Sequence, residues 1–300
     1  MKREIFGLIL TLLGGILWGF SGACGQYLFT QKNVNADFLV PYRLLVSGAL
    51  LVAFYLIKSP KRAVLPIKDI RLLPELLIYS IIGLMMTQYT YFYAIYLSNA
   101  GIATVIQYTA PAIILIIVCF NERRFARLNE LISLILATLG VVILATHGDF
   151  GKFVVSKEAL IFAFLSAIGA CFYNLVPKRL NKKYPVALVL GWAMLFGGVV
   201  LGLYLRVWQF GFLSDFSGFL AFFSVIFFGT ILSFSFYMVG VKILGAARAS
   251  LVACIEPVSA TIFAHFWLKT QFLFLDFVGF VLIICCVFLS SKGQKIAKKG

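Results

Sequence analysis

Ten stretches of the chain, each long and dominated by apolar side chains, follow one another with short connections: about 7-27, 38-57, 75-96, 100-119, 128-147, 158-177, 186-205, 219-241, 248-268 and 272-290. A helix needs about 20 mainly apolar residues to cross a hydrocarbon core, and there every backbone polar group must be satisfied within the protein. The pattern therefore predicts an all-α integral membrane protein of ten transmembrane helices. Composition excludes the soluble alternative: 62% of residues are hydrophobic and 12% charged, against about half and about a quarter in ordinary soluble domains. The first stretch follows Lys2 and Arg3, but its apolar run is longer than a signal-peptide core. It is read as a retained helix.

A net charge of +15 would suit nucleic acid, yet no aromatic and basic binding face accompanies it. The basic residues instead fall between the spans, where cytoplasmic loops collect them. With the N-terminus inside, 20 of the 26 Lys and Arg residues lie on the cytoplasmic side, among them Lys178, Lys182, Lys242, Arg248 and the tail lysines Lys292, Lys295, Lys298 and Lys299. Five lie outside (Lys32, Lys152, Lys157, Arg206 and Lys269), and Arg43 is left within span 2. Both termini are expected to be cytoplasmic, in a multi-pass protein of the plasma membrane, most naturally a bacterial inner membrane. The six cysteines sit in apolar runs without metal-ligand spacing, so they are read as small buried hydrophobes, and no metal or cofactor is expected.

A shift of 146 positions pairs Gly83 with Gly229, Tyr91 with Tyr237, Ala103 with Ala249, Pro111 with Pro257, Phe120 with Phe266, Arg123 with Lys269 and Glu130 with Asp276. A shift of 149 pairs Gly48 and Tyr55 with Gly197 and Tyr204. Each half then holds five spans, and an odd number makes the repeats inverted, a design of secondary transporters with substrate near the midplane. The expected organisation is one five-helix repeat over 1-149, a second over 150-291 and a basic cytoplasmic tail over 292-300.

The segments LWGFSGACGQYLF, YRLLVSGALL, SNAGIATVIQYTAP, LGWAMLFGG and IEPVSA, in ten-span order, resemble the EamA-type transporters of the drug/metabolite transporter superfamily over essentially the whole chain. The resemblance implies a ten-helix inverted-repeat bundle that moves small metabolites by alternating access, often exporting amino acids or similar compounds. Four-helix multidrug relatives depend on a carboxylate within their first span, which here has only Glu4 at its edge. That departure puts their drug/proton mechanism in doubt for this chain.

Charged side chains at bilayer depth usually face a bundle interior, which singles out Glu256 and Arg43. Glu256 either carries a proton or pairs with a cationic substrate group, or it serves the helix end beside Pro257. Arg43 either snorkels to the outer interface, or clamps a carboxylate or partners Glu256. Pro111 and Pro257 each remove a helix hydrogen bond and are read as hinges or as packing kinks. Thr104, Gln107 and Tyr108 share a face with Pro111, and Tyr89 and Tyr93 share one in span 3. These faces either line a cavity or serve helix contacts and the interface. Gln26 in span 1 and Asn174 in span 6 are further cavity candidates. His265 is read as an interfacial or satisfied histidine, with a proton-relay role as the lesser alternative.

No phosphate loop, HExxH or GxSxG is present, which argues against ATP hydrolysis and intramembrane hydrolysis. The expected function is secondary transport of a small metabolite, an amino acid or similar amphiphilic solute, in the export direction, with proton coupling open. A channel or receptor is the alternative. Expected partners are the solute, protons if coupling exists, the lipid bilayer and no nucleic acid, with a homodimer left open.

Overall fold

The computed structural model describes residues 2–98, 100–146, 156–209, 215–268 and 273–292. His147, Lys152, Lys269 and the tail beyond Lys292 lie outside the described residues. Among the described residues, long helical stretches succeed one another, with short helices at Pro60–Ala63, Leu65–Lys68 and Lys178–Lys183 between them: α1 (Lys2–Gln31), α2 (Ala36–Lys58), α3 (Leu73–Ile78, Tyr79–Met85 and Met86–Leu97), α4 (Ala100–Gln107 and Ala110–Asn121) and α5 (Leu128–Thr146). They continue with α6 (Lys157–Leu175), α7 (Val186–Tyr204), α8 (Phe216–Ile226, Phe227–Leu232 and Ser233–Leu244), α9 (Ala246–Val252 and Ile255–Leu268) and α10 (Phe274–Lys292). No strand occurs among the described residues. Nine helical stretches among them are long and apolar enough to cross a membrane. The remaining expected span, α3, is also helical, but its tyrosines together with Thr87, Gln88 and Thr90 make it more polar than the others.

Local chemistry sets the helix ends. Asn35 and Ser156 accept backbone N–H groups as N-caps of α2 and α6, meeting donors that have no partner inside a helix. Gly245 takes φ 86° between α8 and α9, a left-handed backbone that glycine adopts without Cβ strain.

The two halves carry matching irregularities. The middle of α3 (Tyr79–Met85) and of α8 (Phe227–Leu232) is π-helical, and these segments hold Gly83 and Gly229. Both α4 and α9 are broken at their centres, and α5 and α10 cover the same residues once shifted by 146. Glu130 accepts the Arg127 N–H at 2.8 Å in α5, while Asp276 accepts the Leu273 N–H at 2.9 Å in α10.

Packing crosses between the halves. Helix α1 lies against α8 and α9, while α6 lies against α3 and α4. Equivalent helices also pair directly, α2 with α7 and α5 with α10. Glycines permit both pairs: a Cβ on Gly198 would stand 2.7 Å from the Leu45 nitrogen, and one on Gly140 would stand 2.7 Å from the Ile283 side chain. Lys32, after α1, meets Asp215, before α8, at 2.6 Å, and Lys183, after α6, meets Asp69, before α3, at 2.6 Å. These two ties lie at opposite ends of the bundle, one beside the start of α2 and the other beyond its end.

Candidate functional site

Proline decides where α4 and α9 break. Pro111 stands in the first turn of the second segment of α4, where a missing N–H is tolerated. In α9, Pro257 cannot donate to the carbonyl four residues back, that of Ala253. The Ala253 carbonyl instead accepts from the Glu256 N–H at 3.0 Å and from the Tyr108 hydroxyl at 3.2 Å. The same hydroxyl lies 3.0 Å from Glu256 Oε2. Tyr108 thus joins the break in one half to the break in the other.

A cavity of about 70 Å³ opens beside this junction, bordered by Trp18, Arg43, Gln88, Tyr91, Gln107 and Glu256 among others. A second of about 50 Å³ shares Trp18, Gln107, Tyr173 and Glu256 with it and adds Tyr108, Pro111, Asn174 and Tyr237. Tyr91 and Tyr237, paired by the shift of 146 positions, border one cavity each. The Tyr91 hydroxyl is hydrogen-bonded to that of Thr104 at 2.8 Å, and the Tyr237 hydroxyl donates to Asn174 Oδ1 at 2.7 Å.

Arg43 is 2% exposed, so the snorkelling reading is corrected. Its Nε donates to the Thr230 hydroxyl at 3.0 Å and its Nη2 to the Gly229 carbonyl at 3.2 Å. The guanidinium lies 4.7 Å from the centre of the Phe92 ring, a cation–π contact. The cause is the π-helical turn of α8, which aims a carbonyl and a hydroxyl at position 43 and makes the interior more favourable than the interface. Arg43 Nη1 has no partner, and neither do Trp18 Nε1 nor the Nε2 and Oε1 of Gln88. Unpaired buried polar atoms are costly, and here they gather around one cavity. No ion pair joins Arg43 to Glu256 among the described residues.

Of the sequence candidates, Glu256, Arg43, Gln107, Tyr108, Asn174 and Pro111 therefore meet around the two cavities, with Thr104 one hydrogen bond away. Pro257 acts on them through the backbone. The others are placed elsewhere: Tyr89 donates to Asp37 at 2.9 Å, and Tyr93 packs on Phe162. The Gln26 carbonyl accepts the Thr30 hydroxyl, and Gln26 borders neither cavity. The sequence does not single out Trp18 within α1, nor Gln88 among the many polar residues of α3. Their unpaired atoms, which set them apart, are visible only in three dimensions.

On the basic side lies a vestibule of about 400 Å³, bordered by the ends of α4, α6, α8 and α10 and the starts of α5 and α9. Asn174 borders both this vestibule and the smaller inner cavity. At the opposite end lie the Lys32–Asp215 pair, the Tyr27 hydroxyl bonded to Ser217 at 3.1 Å, and Tyr27 stacked on Trp267. Hydrogen bonds from Lys32 and Ser217 hold the Asp215 carboxyl down at about 2, and a hydrogen bond from Lys183, then one from Tyr184, lowers that of Asp69.

The apolar helices define a multi-pass membrane protein, with small polar cavities at the centre of the bundle and a wider vestibule on its basic side. The chain belongs to the EamA-like transporter family, which matches it over residues 5–146 and 157–292. It is similar to the uncharacterized inner membrane transporter YicL of Salmonella typhimurium (strain LT2), with 34% identity over 285 residues covering 95% of each chain. A solved crystal structure shares the fold with TM-score 0.79, over 98% of this chain and 99% of its own, at 16% identity. The protein is a multi-pass membrane transporter of the plasma membrane, and membership of a transporter family implies a non-enzymatic role.

Proposed function

We propose that this protein is a secondary active transporter of small zwitterionic metabolites, amino acids or similar amphiphilic solutes, working by alternating access in the export direction. One observation carries the reading: Arg43 and Glu256 border the same cavity unpaired with each other, with Trp18 Nε1 and the Gln88 amide also free. A carboxylate suits the Arg43, Trp18 and Gln88 wall, because all three offer N–H donors. An ammonium group suits Glu256. Two opposite buried charges held apart are costly, and a bound zwitterion relieves both.

The bundle is read as ten transmembrane helices in two inverted five-helix repeats, 1-149 and 150-291, with both termini and the tail 292-300 in the cytoplasm. The matched irregularities and crossed packing of the halves support it, and so does the weight of basic residues on one side. In that orientation the vestibule faces the cytoplasm, ready to load a solute for export. Pro111 and Pro257 are the hinges, and Glu256 is also the group through which protons couple to transport. Monomer and homodimer serve this mechanism equally.

Counterflow in proteoliposomes with a panel of amino acids tests the proposal. Saturable exchange of at least one zwitterion is expected. Equal leakage of all solutes without counterflow would instead indicate a channel.

A further inference from the structure

The vestibule has its own chemistry, separate from the inner cavity. Six cations border it, Arg124, Arg127, Lys178, Lys182, Lys242 and Arg248, against two carboxylates, Glu122 and Glu130. Arg124 is held by both of those carboxylates and Arg248 by Glu4. The other four cations have no ion-pair partner among the described residues. Topology alone would place lysines at this side of the bundle, but it does not require them to border one concave space of about 400 Å³.

Two buried polar atoms add direction. Ser133 is fully buried and its Oγ has no partner, and Asn181 is 5% exposed with Oδ1 unpaired. Both residues border the vestibule. The Ser133 hydroxyl can donate to a carboxylate oxygen, and Asn181 Oδ1 can accept an N–H from the same solute. A concave site lined by one sign of charge also concentrates counter-ions within it.

We propose that this vestibule is a second ligand site, which takes small solutes of net negative charge carrying carboxylates and at least one N–H donor. The site rests on the transport reading only for its role, which is to gather the acidic members of that solute class, zwitterions that carry a second carboxylate, beside Asn174, which borders the inner cavity as well. The binding itself does not depend on Glu256 or on transport.

The test uses the full-length protein carrying C285S and N129C in nanodiscs of phosphatidylcholine, because Asn129 borders the vestibule and Cys285 is the exposed native thiol. Labelling of the N129C thiol by an anionic methanethiosulfonate is followed with L-aspartate or its net-neutral isostere L-asparagine, whose side chain is uncharged, present. L-aspartate at millimolar concentration is expected to slow labelling several-fold and L-asparagine far less. The K178Q/K182Q double variant should abolish that protection, and 0.5 M salt should weaken it, as a screening length of about 4 Å implies.

The K242Q variant supplies a second charge removal and should weaken protection in the same direction. Protection should persist in E256Q, so a failed transport reading leaves the result intact. Equal protection by both amino acids, or protection unchanged in K178Q/K182Q and in K242Q, would overturn the proposal. So would protection produced by phosphatidylglycerol nanodiscs alone, since that would assign the site to a lipid headgroup.

Discussion

The Tyr108 hydroxyl stands 3.0 Å from Glu256 Oε2 and 3.2 Å from the Ala253 carbonyl. One phenol therefore ties the broken centre of α4 to the broken centre of α9 and fixes the carboxylate that borders both inner cavities. In Y108F the ring packing stays and this bond goes. A hydrogen bond to a charged group contributes about 1.5–3 kcal/mol, so kcat/KM for the transported solute should fall roughly ten- to hundredfold. Initial rates of exchange in proteoliposomes check this, with thermal unfolding as the control for fold.

Arg43 cannot be replaced by lysine. Its Nε and Nη2 serve Thr230 and Gly229 together, and a single ammonium lacks that planar fork. Both R43K and R43Q are expected to raise KM for a carboxylate-bearing solute at least about tenfold, the loss of one charge-assisted bond. A KM unchanged in either variant would assign Arg43 to structure alone.

Two glycines should respond in opposite ways. Gly198 packs directly against the backbone of Leu45, so G198L overpacks the contact between α2 and α7 at a cost of about 1–3 kcal/mol. Its thermal midpoint should fall by several degrees. Gly22 borders the larger inner cavity, and a Cβ there meets nothing within 4 Å. G22A should therefore keep its thermal midpoint while narrowing the cavity and lowering transport.

Acid should loosen the two ties between the halves. The Asp215 carboxyl is held down at about 2, chiefly by its hydrogen bond from Lys32, and Asp69 is lowered chiefly by Lys183. A depressed carboxyl stabilises the fold above its unfolded value, about 3.9, and that contribution is lost as pH falls through the folded value. The thermal midpoint should be flat above about pH 5 on this account and decline as pH drops from about 4 toward 2. D215N should show a smaller decline than the wild type.

The helices were legible because each is a long apolar run, and matched residues such as Glu130 and Asp276 proved to hold equivalent caps. The breaks were legible too, since proline removes a donor wherever it stands. Arg43 was not: its partners lie 187 and 186 residues away, on a π-helical turn that no sequence period announces. A separation of 52 residues hid the tie between Tyr89 and Asp37, so of the tyrosine face read as a cavity wall or a helix contact, Tyr89 holds α3 to the start of α2 while Tyr93 packs on Phe162 of α6. Gln88 and Trp18 became distinct only when their neighbours failed to provide partners.

The central claim is that Glu256 binds the cationic end of a zwitterion and couples protons to its movement. It is tested most directly by amino-acid flux in proteoliposomes with an imposed pH gradient, comparing wild type with E256Q. The account predicts that the gradient drives accumulation by the wild type, while E256Q responds to no gradient and binds its solute at least about tenfold more weakly. Gradient-driven accumulation by E256Q equal to that of the wild type would contradict it.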